Sequence, residues 1–165
     1  QTRISLLCTK IEEIIATTFR QTVLTRFELA AHTRRGQDLL AADEICELWL
    51  AENAKLLGDG VEMIPAYRWG WSYISHFIHA RFYCYSYVFG ELLVLALYQK
   101  YRGEGASFIP AYMKILRAGG SVRPDALVKP LGIDLAEPGF WKQGYGLVEE
   151  LVGELKILIV QGDEG

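Results

Sequence analysis

Apolar residues recur at Ile4, Leu7, Ile11, Ile15, Phe19, Val23, Phe27 and Ala30, three or four positions apart, in a stretch without proline or glycine. That period puts them on one face of a helix. Residues 1–35 are therefore expected to form a single long amphipathic helix, stopped by Gly36 with Arg34 and Arg35 in its last turn. Arg20, Gln21 and Glu28 fall among its aromatic residues and are expected to make polar contacts inside the helical wall. His32 is expected to sit as a cation at its C-terminal end. A second helix is expected over about 41–57, with Ile45, Leu48, Trp49 and Leu56 buried, a poorly capped start, and Gly58-Asp59-Gly60 as its stop. From Val61 to Ser75 the period dissolves into a tryptophan- and tyrosine-rich segment punctuated by Pro65 and Gly70, too aromatic for a solvated linker and read as an ordered loop.

Beyond it the pattern becomes apolar nearly all round, through Leu92, Leu93, Leu95, Ala96 and Leu97 to Arg102. A helix of that kind is surrounded by others, so a central buried helix over about 80–102 is the expected hub. Further helices are expected over 106–117, briefly after Pro124, and over 137–160. No strand period, internal repeat or linker is visible. The expectation is an all-α fold with residues 1–165 forming a single helical domain.

Composition narrows the partners. Seventeen basic and twenty acidic residues give a net charge of −3 with no basic stripe, which leaves nucleic-acid binding without electrostatic support. Cys8, Cys46 and Cys84 are far apart in apolar surroundings and read as buried, reduced thiols of a cytoplasmic protein. The apolar run from Phe82 to Tyr98 is short for a membrane span and carries Ser86, Gly90 and Glu91 near its middle, where a charge is costly, so no membrane partner is expected. No secretory signal is visible, and the start at Gln1 reads as a trimmed leader or as a piece of something longer.

Candidate chemistry concentrates in HFIHARFYCYSYVFG, His76–Gly90. On a helix from about Ala80, Tyr83, Tyr87 and Gly90 share a face, His76 and His79 extend it upstream, and Tyr85 points elsewhere. Two phenols and an imidazole beside a glycine that admits another backbone would line a cleft. Aromatic residues at helical spacing also form ordinary core, and spacing alone does not choose between the two. His76 and His79 without a nearby carboxylate or cysteine are a weak zinc signal.

FRQTVLTRFELAAH at Phe19–His32, HFIHARFYCYSYVFG at His76–Gly90 and ILRAGGSVRPDALVKPLGIDLAEPGFW at Ile115–Trp141 together resemble, in order and spacing, the C-terminal part of oligoendopeptidase F, of the zinc metallopeptidase family that includes thimet oligopeptidase. The resemblance implies a helical, zincin-like peptidase that encloses a channel and cuts short peptides with one zinc ion. In that family the zinc is held by a His-Glu-x-x-His helix and a further glutamate, both upstream of the matching part. This sequence has no H-E-x-x-H, so the resemblance implies zinc in a full-length parent and no metal ligand in this chain. It also implies that His76, Tyr83 and Tyr87 are catalytic, facing the substrate carbonyl opposite the metal. A phenol donates a hydrogen bond to the tetrahedral oxyanion without bringing charge. Tyr85 and His79 are carried as substrate contacts, although His79 has no counterpart in the family's run and reads most simply as a partly exposed helix-start residue. The family's threonine cap at the second helix is matched here by Leu40, at an expected cost of about 1 kcal/mol.

The expected function is thus the C-terminal fragment of a zinc-dependent oligoendopeptidase, inactive alone, with short peptides as substrates of the parent. The alternative is a stand-alone helical peptide-binding or interaction module without catalysis. Either way a truncated chain leaves apolar surface uncovered and is expected to self-associate.

Overall fold

The computed structural model describes residues 2–163, and no strand occurs among them. The described chain divides into two compact units, Glu13–Phe89 and the residues up to Glu12 together with those from Gly90 onward.

The expected helix over 1–35 is interrupted. Helix α1 spans Thr2–Ile15, Ala16–Arg20 make a π-helical turn, and α2 spans Gln21–Arg35. The wide turn adds a residue to the period. Ile11 and Ile14 are buried before it, Thr18 within it and Val23, Leu24 and Phe27 after it, while Ile15 and Phe19, expected on the buried face, are exposed. Hydroxyls support the altered ladder: Thr22 Oγ1 donates to the Thr18 carbonyl at 2.6 Å and Thr25 Oγ1 to that of Gln21 at 2.8 Å. Such back-bonding competes with the regular helix.

Helix α3 spans Ala42–Leu57, and its N-cap is Ala41 rather than Leu40. Ala41 has no side-chain acceptor, so only half of a capping box forms: the Glu44 carboxylate accepts the Ala41 N–H at 2.9 Å. Trp49 lies edge-on to Phe27 at 5.3 Å between ring centres and, with Leu24, Ile74 and Cys84, forms the core of this unit. The aromatic segment is ordered as a 3₁₀ run, Pro65–Tyr73. A closed circuit of bonds fixes it: Trp49 Nε1 donates to the Tyr67 carbonyl at 2.9 Å, Tyr67 Oη to Asn53 Oδ1 at 2.8 Å, and Asn53 Nδ2 to the Trp49 carbonyl at 2.8 Å. Burial raises the Tyr67 phenol above its ordinary range, and the neighbouring Tyr73 adds to the shift. Arg26 on α2 and Lys55 on α3 both bond the buried Glu52. Burial opposes its ionisation, but those two cations outweigh it and hold its pKa below the ordinary carboxylate value.

Beyond the 3₁₀ run come two helices, the single turn α4 at His76–His79 and α5 at Tyr85–Glu104. The central helix therefore begins at Tyr85, not near Ala80, because Phe82 takes a φ of 58° that no right-handed helix accommodates.

In the other unit α5 packs with α6 (Ile109–Ala118), α7 (Pro124–Val128) and α8 (Pro138–Asp163). Ala96, Leu97, Phe108, Val128, Ile133 and Phe140 form its core. The close backbone approach expected at Gly90 occurs at Gly144 instead. A Cβ on Gly144 would stand 3.1 Å from the Leu92 carbonyl, whereas one on Gly90 would meet nothing within 4 Å. Arg102 and Gln99 on α5 bond Glu150 on α8. Within this unit α5 is not covered all round, since Val94, Tyr98 and Tyr101 are exposed. The three cysteines are free; Cys46 and Cys84 are fully buried and Cys8 is partly so. Among the described residues no helix is long and apolar enough to cross a membrane.

Candidate functional site

The site is built where the chain leaves α4. The Tyr83 N–H donates to the Ala80 carbonyl at 3.1 Å, closing a β-turn whose third residue is Phe82, in the left-handed region that glycine normally occupies. Phe82 is the one non-glycine residue with positive φ among the described residues. Two contacts from α2 meet it there. Glu28 Oε1 accepts the Phe82 N–H at 2.8 Å, and the His32 ring lies against the Phe82 ring with centres 4.7 Å apart. Just after the turn Cys84 is fully buried in the core, its thiol pushed up in pKa by burial and, less, by the charge of Glu28. The Ser86 and Tyr87 N–H groups then bond the Tyr83 and Cys84 carbonyls, and α5 begins.

This path brings His76, Tyr83 and Tyr87 into one group. His76 Nε2 and Tyr87 Oη are 3.1 Å apart, a hydrogen bond whose direction depends on the imidazole tautomer. The His76 ring stacks on Tyr83 at 5.8 Å and meets Tyr87 edge-on at 5.7 Å, while Tyr83 and Tyr87 cross edge-on at 5.3 Å. The group is open to solvent, Tyr83 being 48% and Tyr87 37% exposed. It is not core. Tyr85 and His79 are both exposed and take no part in these contacts.

Helical spacing from Ala80 anticipates this grouping by the wrong geometry. Tyr83 precedes the helix, and the turn, not a continuous face, delivers it to His76. Glu28 and Phe82 carry no local mark of their role, because their bond spans 54 positions; only a glutamate on a buried helical face hints at it. His32, expected as a helix-end cation, also serves as the aromatic support of Phe82. Arg20 reaches the Tyr73 hydroxyl at 3.5 Å, while Gln21 Oε1 is buried without a hydrogen bond.

Among the described residues no group of three or more His, Cys, Asp or Glu side chains could hold a metal ion. The described residues thus do not fit a zinc site. What the group offers is hydrogen bonding: an imidazole bonded to one phenol, with a second phenol packed on both rings, open to solvent.

Comparison with known proteins gives the chain, as a sequence and as a fold, its family. The sequence is similar to oligopeptidase PepF of Bacillus subtilis, 28% identical over 160 residues that make up 96% of this chain and 24% of the relative. It is also similar to group B oligopeptidase PepB of Streptococcus agalactiae, 27% identical over 148 residues, 88% of this chain and 24% of the relative. The crystal structure of oligoendopeptidase-F from Enterococcus faecium superposes with a TM-score of 0.83 at 27% identity, covering 97% of this chain and 31% of that one. The chain thus spans about a quarter of the length of the curated relatives it matches. With the model of peptidase family M3 matching residues 1–147, the chain belongs to that family.

Proposed function

We propose that this chain supplies one wall of the active site of a zinc metallopeptidase that hydrolyses short peptides. In this reading His76, Tyr83 and Tyr87 bind the substrate and stabilise the oxyanion. The observation that carries it is the solvent-facing bond between His76 Nε2 and Tyr87 Oη, 3.1 Å, with Tyr83 packed on both rings. The relatives' names, oligopeptidase and oligoendopeptidase, describe proteins that act on peptides.

Addition to a peptide carbonyl turns a neutral C=O into a tetrahedral oxyanion, and donors that strengthen as charge develops favour that state. With the proton on His76 Nε2, the imidazole donates to Tyr87 Oη, and the phenolic O–H is left free to point outward to the substrate. A phenol that accepts one hydrogen bond donates the next more strongly. Tyr83 holds both rings in register and offers a second hydroxyl to the peptide. Tyr85 and His79, exposed beside the group, serve as rim contacts. Zinc in this reading belongs to the full-length parent, and none of the roles given to these side chains involves a bond to it. The isolated chain is expected to be inactive, because its described residues assemble no nucleophile. The free thiols accord with a cytoplasmic enzyme.

The test is Tyr87→Phe in the full-length parent. Removing one positioned donor is expected to lower kcat by about a hundred- to a thousandfold, with KM and zinc content nearly unchanged. Unchanged kcat overturns the role, and loss of zinc together with activity makes Tyr87 a structural residue instead.

A further inference from the structure

We propose that Glu28 is a positioning residue of this site: its carboxyl group, bonded to the Phe82 N–H, holds a strained turn that sets Tyr83 and Tyr87 against His76. The inference rests on the functional role proposed for those three residues and adds a residue that touches neither substrate nor the reacting atoms.

The geometry asks for such a clamp. Phe82 has a φ of 58°, a conformation that is strained for a residue with a Cβ and that glycine adopts freely. The turn's own Tyr83–Ala80 bond, at 3.1 Å, is of ordinary length, as any β-turn would have. What singles out this turn is an acceptor from a distant helix: Glu28 Oε1 lies 2.8 Å from the Phe82 nitrogen. His32, one helical turn along α2 from Glu28, braces the Phe82 ring. The same helix thus grips both the backbone and the side chain of the strained residue.

Glu28 is also an expensive residue to keep where it is. It is 2% exposed, and its second oxygen, Oε2, is buried with no hydrogen-bond partner. An interior carboxyl group that satisfies only one oxygen is a net burden unless the bond it makes matters. The bond matters because it fixes the start of the next helix. Cys84 is locked into the core, and with the turn fixed between it and α4, α5 can start in only one phase. The Tyr83–Tyr87 edge-on contact and the His76–Tyr87 bond depend on that phase. If the turn relaxed to a negative φ, Tyr83 and the first turn of α5 would rotate away from His76.

The test uses the full-length parent and four variants: Glu28→Ala, Glu28→Gln, the double variant Glu28→Ala with Phe82→Gly, and Tyr87→Phe as reference. Two readouts are taken, peptide hydrolysis and deuterium exchange of the segment over 80–87. A small misplacement of reacting groups costs on the order of a hundredfold in rate. Glu28→Ala is therefore expected to lower kcat by about that factor and to speed exchange of the Phe82 amide, with KM changed much less. Glu28→Gln keeps a carbonyl acceptor and should recover most of kcat. Phe82→Gly removes the strain, so the double variant should regain at least about tenfold over Glu28→Ala; a Glu28 needed only for core packing gives no such rescue. If Glu28→Ala fails to fold, Glu28→Met, which keeps the bulk and removes the acceptor, takes its place with and without Phe82→Gly, and parent-like kcat and exchange in it overturn the proposal. Unchanged kcat and exchange in Glu28→Ala, or a double variant as slow as the single, overturns the proposal. If Tyr87→Phe leaves kcat unaltered, the functional reading fails by itself, and the exchange data still decide whether Glu28 holds the turn.

Discussion

At the scale of single residues, two positions bear most of the local geometry. Phe82 is forced into a glycine-like conformation by its partners. Gly70 must be glycine for the opposite reason, since a Cβ there would lie 2.9 Å from the Trp49 indole. The indole cannot retreat freely, because it is 2% exposed, packs on Phe27 and donates its N–H to the Tyr67 carbonyl. Gly70→Ala is accordingly an overpacking change, expected to cost about 2 kcal/mol. In urea unfolding it should lower the midpoint and leave the slope unchanged. A variant as stable as the parent would mean that Trp49 has room to move, and the circuit of bonds from Trp49 through Tyr67 to Asn53 would then be looser than its distances imply.

At the scale of elements, the helices are legible in the sequence and their interruptions are not. The spacing of Val23 and Phe27, the stop at Gly36, and the punctuation at Pro124 and Gly132 each arise from local chemistry. The π-turn at Ala16–Arg20 escapes a periodic reading, because apolar residues stand at both Ile14 and Ile15 and burial chooses Ile14. The break before α5 escapes it as well: Arg81-Phe82-Tyr83 has no turn residue, and the acceptor of the Phe82 N–H comes from another helix, 54 positions away. So spacing groups Tyr83 and Tyr87 with both His76 and His79, and only the family resemblance prefers His76, while the Glu28–Phe82 bond leaves no local mark at all. The pairing of α2 with α3 makes a pH-dependent prediction. Glu52 binds Arg26 and Lys55, and its pKa lies below the ordinary carboxylate value. A carboxylate with a depressed native pKa contributes stability that is fully present above its unfolded pKa and is lost as pH falls through the native one. Glu52→Gln is expected to destabilise the chain by about 1–2 kcal/mol at pH 7, discounted for the half-exposed cations. The gap to the parent should close in acid, below the usual carboxylate range. A gap that persists there would assign the loss to packing rather than charge.

At the scale of the whole molecule, the chain corresponds to about a quarter of its curated relatives' length, yet it superposes on a solved structure over nearly all of its own. That asymmetry gives meaning to surface that one unit leaves bare. On α5, Val94, Tyr98 and Tyr101 are exposed, and with Ile109 they line an apolar groove of about 320 Å³. Tyrosine and valine in a contiguous open groove are unusual for a protein that remains monomeric, because such patches are normally covered by another surface. The 165-residue chain expressed by itself is therefore expected to self-associate, with a sedimentation coefficient that rises with concentration and strong binding of an apolar dye. Val94→Lys with Tyr98→Lys places two charges in the groove, well away from His76, Tyr83 and Tyr87 in sequence. It should shift the chain towards monomer and reduce dye binding. Two outcomes would refute this: a parent chain that sediments as a clean monomer with little dye-accessible surface, or a double-lysine variant that associates as strongly as the parent.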